Sequence, residues 1–216
     1  MSTLSTLAGA SPVADRKAPA APAHPERIRG LKEGEWVDVI TYDARLDPNS
    51  RHFLFWFWGR LHEAGVLALY FPHDTEASFP EFVKMLSGGT NVILVLVKDA
   101  DGKVQDTLGL ATWGPMQLGL SQVGCAGFIF LPQYWDAKAT SEAARRIEQL
   151  WFNEMPAKLD LLIGIIAKDN ILAQRFMTRI GWTLSGTLPG CHLYASKQSD
   201  ATIWYLTREQ FEKEKQ

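Results

Sequence analysis

Cysteine is scarce in this chain: Cys125 and Cys191 are the only two among 216 residues. Two thiols cannot build a disulfide scaffold, and Cys125, set in an apolar run, reads as a small buried hydrophobe. Metal-ligand spacing is missing as well. The five histidines, His24, His52, His62, His73 and His192, are scattered, and no zinc pattern joins them, so no metal is expected. No apolar run reaches about 18 residues, which argues against a membrane span. No basic start leads into an apolar block, which argues against a secretory signal and leaves the cytoplasm as the expected compartment. Charge of one sign is lacking too. Lys and Arg number 22 against 24 Asp and Glu, a net charge of −2, and this balance disfavours nucleic acid as a partner.

What the chain does have is core-forming material. Hydrophobic residues make up 46% of it, with eight Trp and eleven Phe, the composition of one folded domain of ordinary size. Residues 1–34 stand apart. They are rich in Ala, Pro, Ser and Thr, with Pro19, Pro22 and Pro25 clustered. Such a segment buries too little apolar surface to offset the cost of ordering it, and reads as an extended arm. Residues 35–216 read as the folded domain.

From Glu35 onward the pattern alternates strand and helix. Trp36–Tyr42 alternates apolar and polar residues as a half-buried strand does. Asp47-Pro48 supplies a cap and a first-turn proline for a helix over 49–64, with Gly65 as its stop. That helix holds Phe53-Leu54-Phe55-Trp56-Phe57-Trp58. Six large apolar residues in a row cannot share one helix face, so a second element or another chain must meet the outer side. Ser78-Phe79-Pro80-Glu81 is a capping box that opens a further helix. Strands are expected over 91–99 and 108–113 around an Asp101-Gly102 turn. The nearly continuous apolar stretches 123–131 and 159–167 read as central strands. Between them an amphipathic helix spans 140–155. A helix over 171–180 carries Leu172, Phe176 and Ile180 on one stripe. Strands over 182–188 and 201–206 and a short helix capped by Thr207 and Gln210 complete the chain. The strand–helix–strand unit from Val123 implies a parallel pair. The expected fold class is α/β (α+β), a mixed central sheet with helices on both faces.

Residues 128–211 resemble the GNAT superfamily of acyl-CoA N-acyltransferases, in particular its ribosomal-protein-acetyltransferase-like branch and phage-encoded relatives. The resemblance is carried by Leu131-Pro132-Gln133-Tyr134-Trp135, by Ser141-Glu142-Ala143-Ala144, by Asn170, Ala173, Phe176 and Arg179 before Gly181-Trp182, by Gly186 and Pro189, and by Tyr205-Leu206-Thr207-Arg208-Glu209. It implies a splayed pair of parallel strands with the pantetheine arm of acetyl-CoA in the gap, paired like an added strand with Phe130 and Leu131. It also implies a pyrophosphate at the next helix N-terminus, over Asp136, Ala137, Lys138, Ala139 and Thr140, and cofactor contacts from Asn170, Ala173 and Phe176. The partners so implied are a CoA thioester and an amine acceptor. The amine attacks the thioester, a base removes its proton, and an acid protonates the leaving thiolate.

Two departures from the family pattern bear on that chemistry. The loop from Trp135 to Ser141 holds no glycine, and Asp136 lies where a pyrophosphate would sit; two like charges at about 4 Å cost about 1 to 4 kcal/mol. Lys138 offsets part of this. Met177 occupies the position where many relatives carry the acidic Tyr. Tyr205 and Tyr194 are the candidate catalytic residues in its place, with Cys191 and His192 as further options. Asn170 also reads as a plain helix N-cap. Asp38, Glu63, Asp74 and Glu76 are alternative bases that nothing in the sequence ranks. The arm and the Phe53–Trp58 run suit a homo-oligomer or larger assembly, and with the altered site they keep open a non-catalytic role on the same fold, such as a phage virion component.

Overall fold

A computed structural model of the chain describes residues 31–32, 34–42, 50–70, 78–87, 91–118, 121–135, 138–154, 158–194 and 197–213. Among the described residues seven strands form one sheet in the order β1-β2-β3-β4-β5-β7-β6. They are β1 (Trp36–Tyr42), β2 (Asn91–Lys98), β3 (Val104–Leu118), β4 (Ser121–Phe130), β5 (Leu161–Ala167), β6 (Thr183–Tyr194) and β7 (Lys197–Thr207). Every neighbouring pair is antiparallel except β4 with β5. The mixed sheet expected from the sequence is therefore present, and so is its parallel pair.

Among the described residues six α-helices accompany the sheet: α1 (Ser50–Glu63), α2 (Leu67–Tyr70), α3 (Phe79–Ser87), α4 (Lys138–Gln149), α5 (Ile171–Arg179) and α6 (Arg208–Lys213). Local chemistry sets their ends. Gly65 follows α1 with φ +67°, a backbone conformation that a side chain would strain. The Glu81 carboxylate accepts from the Ser78 amide and hydroxyl at 3.1 and 3.0 Å, so the capping box forms. The Thr207 hydroxyl accepts from the Gln210 amide at 3.1 Å, and the Gln210 side chain reaches back to the Thr207 amide at 2.9 Å. The Asp47-Pro48 signal lies outside the described residues, as does most of the 1–34 arm. Leu31, at its end, is buried with the core.

Several expected boundaries need correction. β3 runs well past 108–113, and β6 and β7 form a longer hairpin than 182–188 and 201–206. The helix expected over 140–155 starts at Lys138 and ends as α-helix at Gln149; a π-turn, Leu150–Glu154, follows. The π-turn sends the adjacent Trp151 and Phe152 both into the core, at 0% and 2% exposure. A regular helix would separate them by 100°. The stripe of α5 drifts: Ile180 is fully buried while Leu172 is 51% exposed. Residues four apart advance 400° rather than 360°, so three of them do not share one face. On α1, Leu54 and Phe57 are buried, and Phe55 packs edge-on against Phe79 of α3 at 5.2 Å. Phe55 and Trp56 still stay 55% and 40% exposed. Among the described residues no helix is long and apolar enough to cross a membrane.

Candidate active site

The parallel contact between β4 and β5 is three residue pairs long: Val123 with Leu161, Gly124 with Leu162, and Cys125 with Ile163. Beyond Cys125 the strands part. The direction of the freed backbone follows from hydrogen bonds at both ends of β4. The Gln122 carbonyl accepts from the Asp160 amide at 2.9 Å, on the β5 side, whereas the Leu131 amide donates to the Leu108 carbonyl at 3.0 Å, on the β3 side. Backbone groups alternate along a strand. Gly124, Ala126, Phe128 and Phe130 therefore turn their polar groups toward β5, and past the parting no described strand pairs with Ala126 or Phe128 on that side, although β3 pairs with both on the other.

Phe130 is different. Its carbonyl accepts from the Trp135 indole at 2.8 Å and from the Tyr70 hydroxyl at 3.3 Å. Those two donors end the free edge of β4 and fix Tyr70 of α2 over the cleft. Burial pushes the Tyr70 phenol up to about 12. Tyr70 is thus a neutral hydroxyl at ordinary pH.

Two adjoining cavities, of 210 and 270 Å³, occupy the parting. Tyr70, Phe128, Asn170, Ala173, Phe176 and Tyr194 line both, so they form one continuous cleft. The inner part runs along Ala126, Gly127, Gly164, Ile165 and Ile166, with Thr112, Met177 and His192. The outer part opens past Phe130, Trp135, Leu172, Arg175 and Arg179. Its wall is aromatic: Phe128 and Phe130 are stacked at 5.9 Å, and Phe176 meets them edge-on at 5.6 and 5.5 Å.

The cleft gathers Phe130, Asn170, Ala173, Phe176 and Tyr194 from among the residues picked out in the sequence. Asn170 is an N-cap as well, its Oδ1 accepting from the Ala173 amide at 3.1 Å. Leu131 is 1% exposed with its amide turned to β3. Ala139 and Thr140, in the first turn of α4, are fully buried, while Lys138 is exposed. Asp136 and Ala137 lie outside the described residues. Tyr205 pairs with Ile163 and Thr183 in the sheet and lines neither cavity. Met177 is 3% exposed and faces Gly164, a packing residue at the cleft floor.

The further options for proton transfer divide in the same way. His192 lines the inner cavity, its Nδ1 accepting from the Leu193 amide at 2.8 Å. Cys191 is exposed, its thiol 3.5 Å from the Leu188 carbonyl. Cys125 sits at the parting half-buried, and burial raises its thiol. Asp38 is paired with Lys98 at 2.5 Å on β1, and Glu63 is exposed at the end of α1. Asp74 and Glu76 lie outside the described residues. Among the described residues no group of three or more His, Cys, Asp or Glu is placed to hold a metal.

Sequence reasoning missed Tyr70 and Arg175, and named Arg179 only as part of the family motif without a role in the site. Tyr70 sits on a helix of four residues, too short to show a period. Arg175 and Arg179 share a stripe with Leu172 and Phe176 at helical spacing, a signal that was there to read.

Comparison with known proteins agrees with this geometry. A family model described as an acetyltransferase (GNAT) domain matches residues 50–183. Among solved structures the fold is similar to the spermidine N-acetyltransferase of Vibrio cholerae in complex with CoA and spermine. Identity is 13%, the TM-score is 0.61, and the match covers 81% of this chain and 97% of that one. A mutant of that enzyme matches at 14% identity and TM-score 0.61 over 83% and 99% of the two chains. A chimera built on it matches at 14% and 0.60 over 81% and 97%. No curated protein matches the sequence.

Proposed function

The chain belongs to the GNAT acetyltransferase family, and from that premise we propose that it transfers an acetyl group from acetyl-CoA to an amine. One observation carries the reading: β4 and β5 part after three pairs and leave the Ala126 and Phe128 backbone facing an open, largely apolar cleft. A pantetheine arm is an extended chain of amides, and it can pair with those groups as an added strand would. Acetyl-CoA supplies the activated acyl group as a thioester.

The protein's own residues divide the remaining tasks. Phe128, Phe176 and Ala173 form a wall that keeps water from the reacting end. The Tyr70 and Trp135 donors on the Phe130 carbonyl set where strand-like pairing ends. The proton for the leaving thiolate is assigned to Tyr194 rather than Tyr205, because only Tyr194 lines the cleft. The motif from Asn170 to Trp182 favours the ribosomal-protein-acetyltransferase-like branch, and with it an acceptor that is a peptide N-terminus.

Calorimetric titration of acetyl-CoA into the full chain, followed by a CoA-release assay with peptide N-termini and spermidine as acceptors, tests the proposal. Micromolar binding with turnover of one acceptor class supports it. Absence of acetyl-CoA binding refutes it. Tyr194→Phe is expected to slow turnover about tenfold or more while leaving acetyl-CoA affinity unchanged, since acid catalysis contributes to the reaction step rather than to binding.

A second reading, a non-catalytic assembly protein on the same fold such as a virion component, rests on Phe55 and Trp56, which remain 55% and 40% exposed on α1. It predicts self-association with no acetyl-CoA binding.

A further inference from the structure

The outer rim of the cleft carries two cations that a pantetheine arm would not use. Arg175 and Arg179 lie one turn apart on α5, both exposed, and both line the outer cavity. No described residue forms an ion pair or hydrogen bond with either. Like charges at i and i+4 on a helix repel, with their Cβ atoms about 6 Å apart, and an anion lying between the two would relieve that repulsion. Apolar surface adjoins them: Leu172, 51% exposed, and Trp135, whose indole is held in place by the Phe130 carbonyl. A rim that is both cationic and flatly apolar suits a phosphorylated purine nucleotide, with phosphate on the guanidinium forks and the base against the ring.

The loop at the start of α4 gives an independent reason. It has no glycine between Trp135 and Ser141, and glycine is the residue that best allows backbone to approach a phosphate closely. Ala139 and Thr140 turn their side chains into the core. A second anchor for the negative charge of a CoA-type carrier fits this loop, and Arg175 and Arg179 of α5 line the same cavity as Trp135, which leads into it.

We infer that Arg175 and Arg179 bind the ribose phosphate of the carrier's nucleotide end, while Trp135 packs against its adenine. This rests on the acetyl-CoA reading of the cleft. It makes the two arginines determinants of selectivity for CoA over carriers that lack that phosphate.

Calorimetry with CoA and dephospho-CoA on the full chain tests it. The unaltered protein is expected to bind CoA about tenfold more tightly than dephospho-CoA at low salt, with the gap narrowing as salt screens the contact. R175Q/R179Q should weaken CoA about tenfold and leave dephospho-CoA within about twofold, erasing the preference. R175K/R179K, which keeps charge but loses the fork, should fall between. Both side chains are exposed, so thermal unfolding of the variants should match the parent. Equal binding of the two ligands by the parent, or a preference that survives R175Q/R179Q, overturns the inference while the acetyltransferase reading stands. Failure of the parent to bind either ligand overturns both.

Discussion

Replacing Gly109 by Ala probes whether the end of β4 is held as rigidly as the cleft requires. Gly109 pairs with Phe130 across the β3–β4 ladder. A Cβ built there would overlap the Ile129 carbonyl oxygen and lie 2.5 Å from Phe130 Cδ1 and 2.9 Å from Phe130 Cα. Two of these three neighbours are backbone atoms, so the clash cannot be relieved by a rotamer change. Overpacking usually costs about 1 to 3 kcal/mol, and a backbone clash belongs at the upper end. For a chain of this length, about 3 kcal/mol lowers Tm by roughly 6 to 12 °C. Any relaxation must push Phe130 outward, which shifts the carbonyl held by Tyr70 and Trp135 and moves the cleft wall. CoA affinity should therefore fall along with stability. The control is Gly114→Ala in the same strand, where nothing lies within 4 Å of the added Cβ and no loss of affinity is expected. Urea unfolding and CoA titration on both variants provide the readout. If Gly109→Ala behaves like Gly114→Ala, the close packing of β3 on the end of β4 is refuted.

Three other outcomes are expected. Asn170→Ala removes the cap of α5 and should cost about 1 kcal/mol in urea unfolding, whereas Asn170→Asp should keep the cap but weaken CoA binding by placing a carboxylate at the cleft. Gly59→Ala, in α1 with open space around the new Cβ, should stabilise by about 0.5 to 1 kcal/mol in the same assay. The pH dependence follows from Tyr70, whose phenol ionises near 10.0 unfolded but only at about 12 folded. Its contribution to stability is complete below about pH 10 and is lost as pH rises through about 12, a change on the order of 2 kcal/mol that Tyr70→Phe should remove. Tyr134, raised by burial and then by its hydrogen bond to Asp106, adds to the decline at high pH.

What the sequence revealed and what it hid divide along physical lines. The capping box at Ser78, the Thr207–Gln210 cap and the alternation of Trp36–Tyr42 are local signals, and each formed where expected. The parallel pair was legible because 123–131 and 159–167 are apolar on both faces with a helix between them. The true length of β3 was hidden behind Gly114-Pro115. Proline is tolerated there because β2 stops at Asn91 opposite Trp113, so Pro115 sits on an edge where a missing N–H breaks no ladder bond. The length of the β6–β7 hairpin was hidden because so much of β6 is exposed, from Leu184 to Cys191, that no core pattern marks it. The site was only half legible. Asn170, Ala173 and Phe176 were picked out through the family resemblance of the 170–182 motif, but which side of α5 faces the cleft depends on tertiary packing. Tyr70 reaches Phe130 across 60 residues of chain, beyond any local pattern.

With so few rungs joining β4 to β5, the distance between the two halves of the sheet is governed largely by side-chain bulk. Phe128 touches Trp151, Phe176 and Trp182 at ring separations of 5.5, 5.6 and 6.3 Å, and those rings act as a spacer wedged where a ladder would otherwise close. Hydrogen bonds fix a separation by their own length, whereas a wedge fixes it by its volume. The gauge of the opening is then adjustable one ring at a time: a smaller residue at 128 would let the halves settle together and shut out a carrier, with every backbone pairing of the fold left intact.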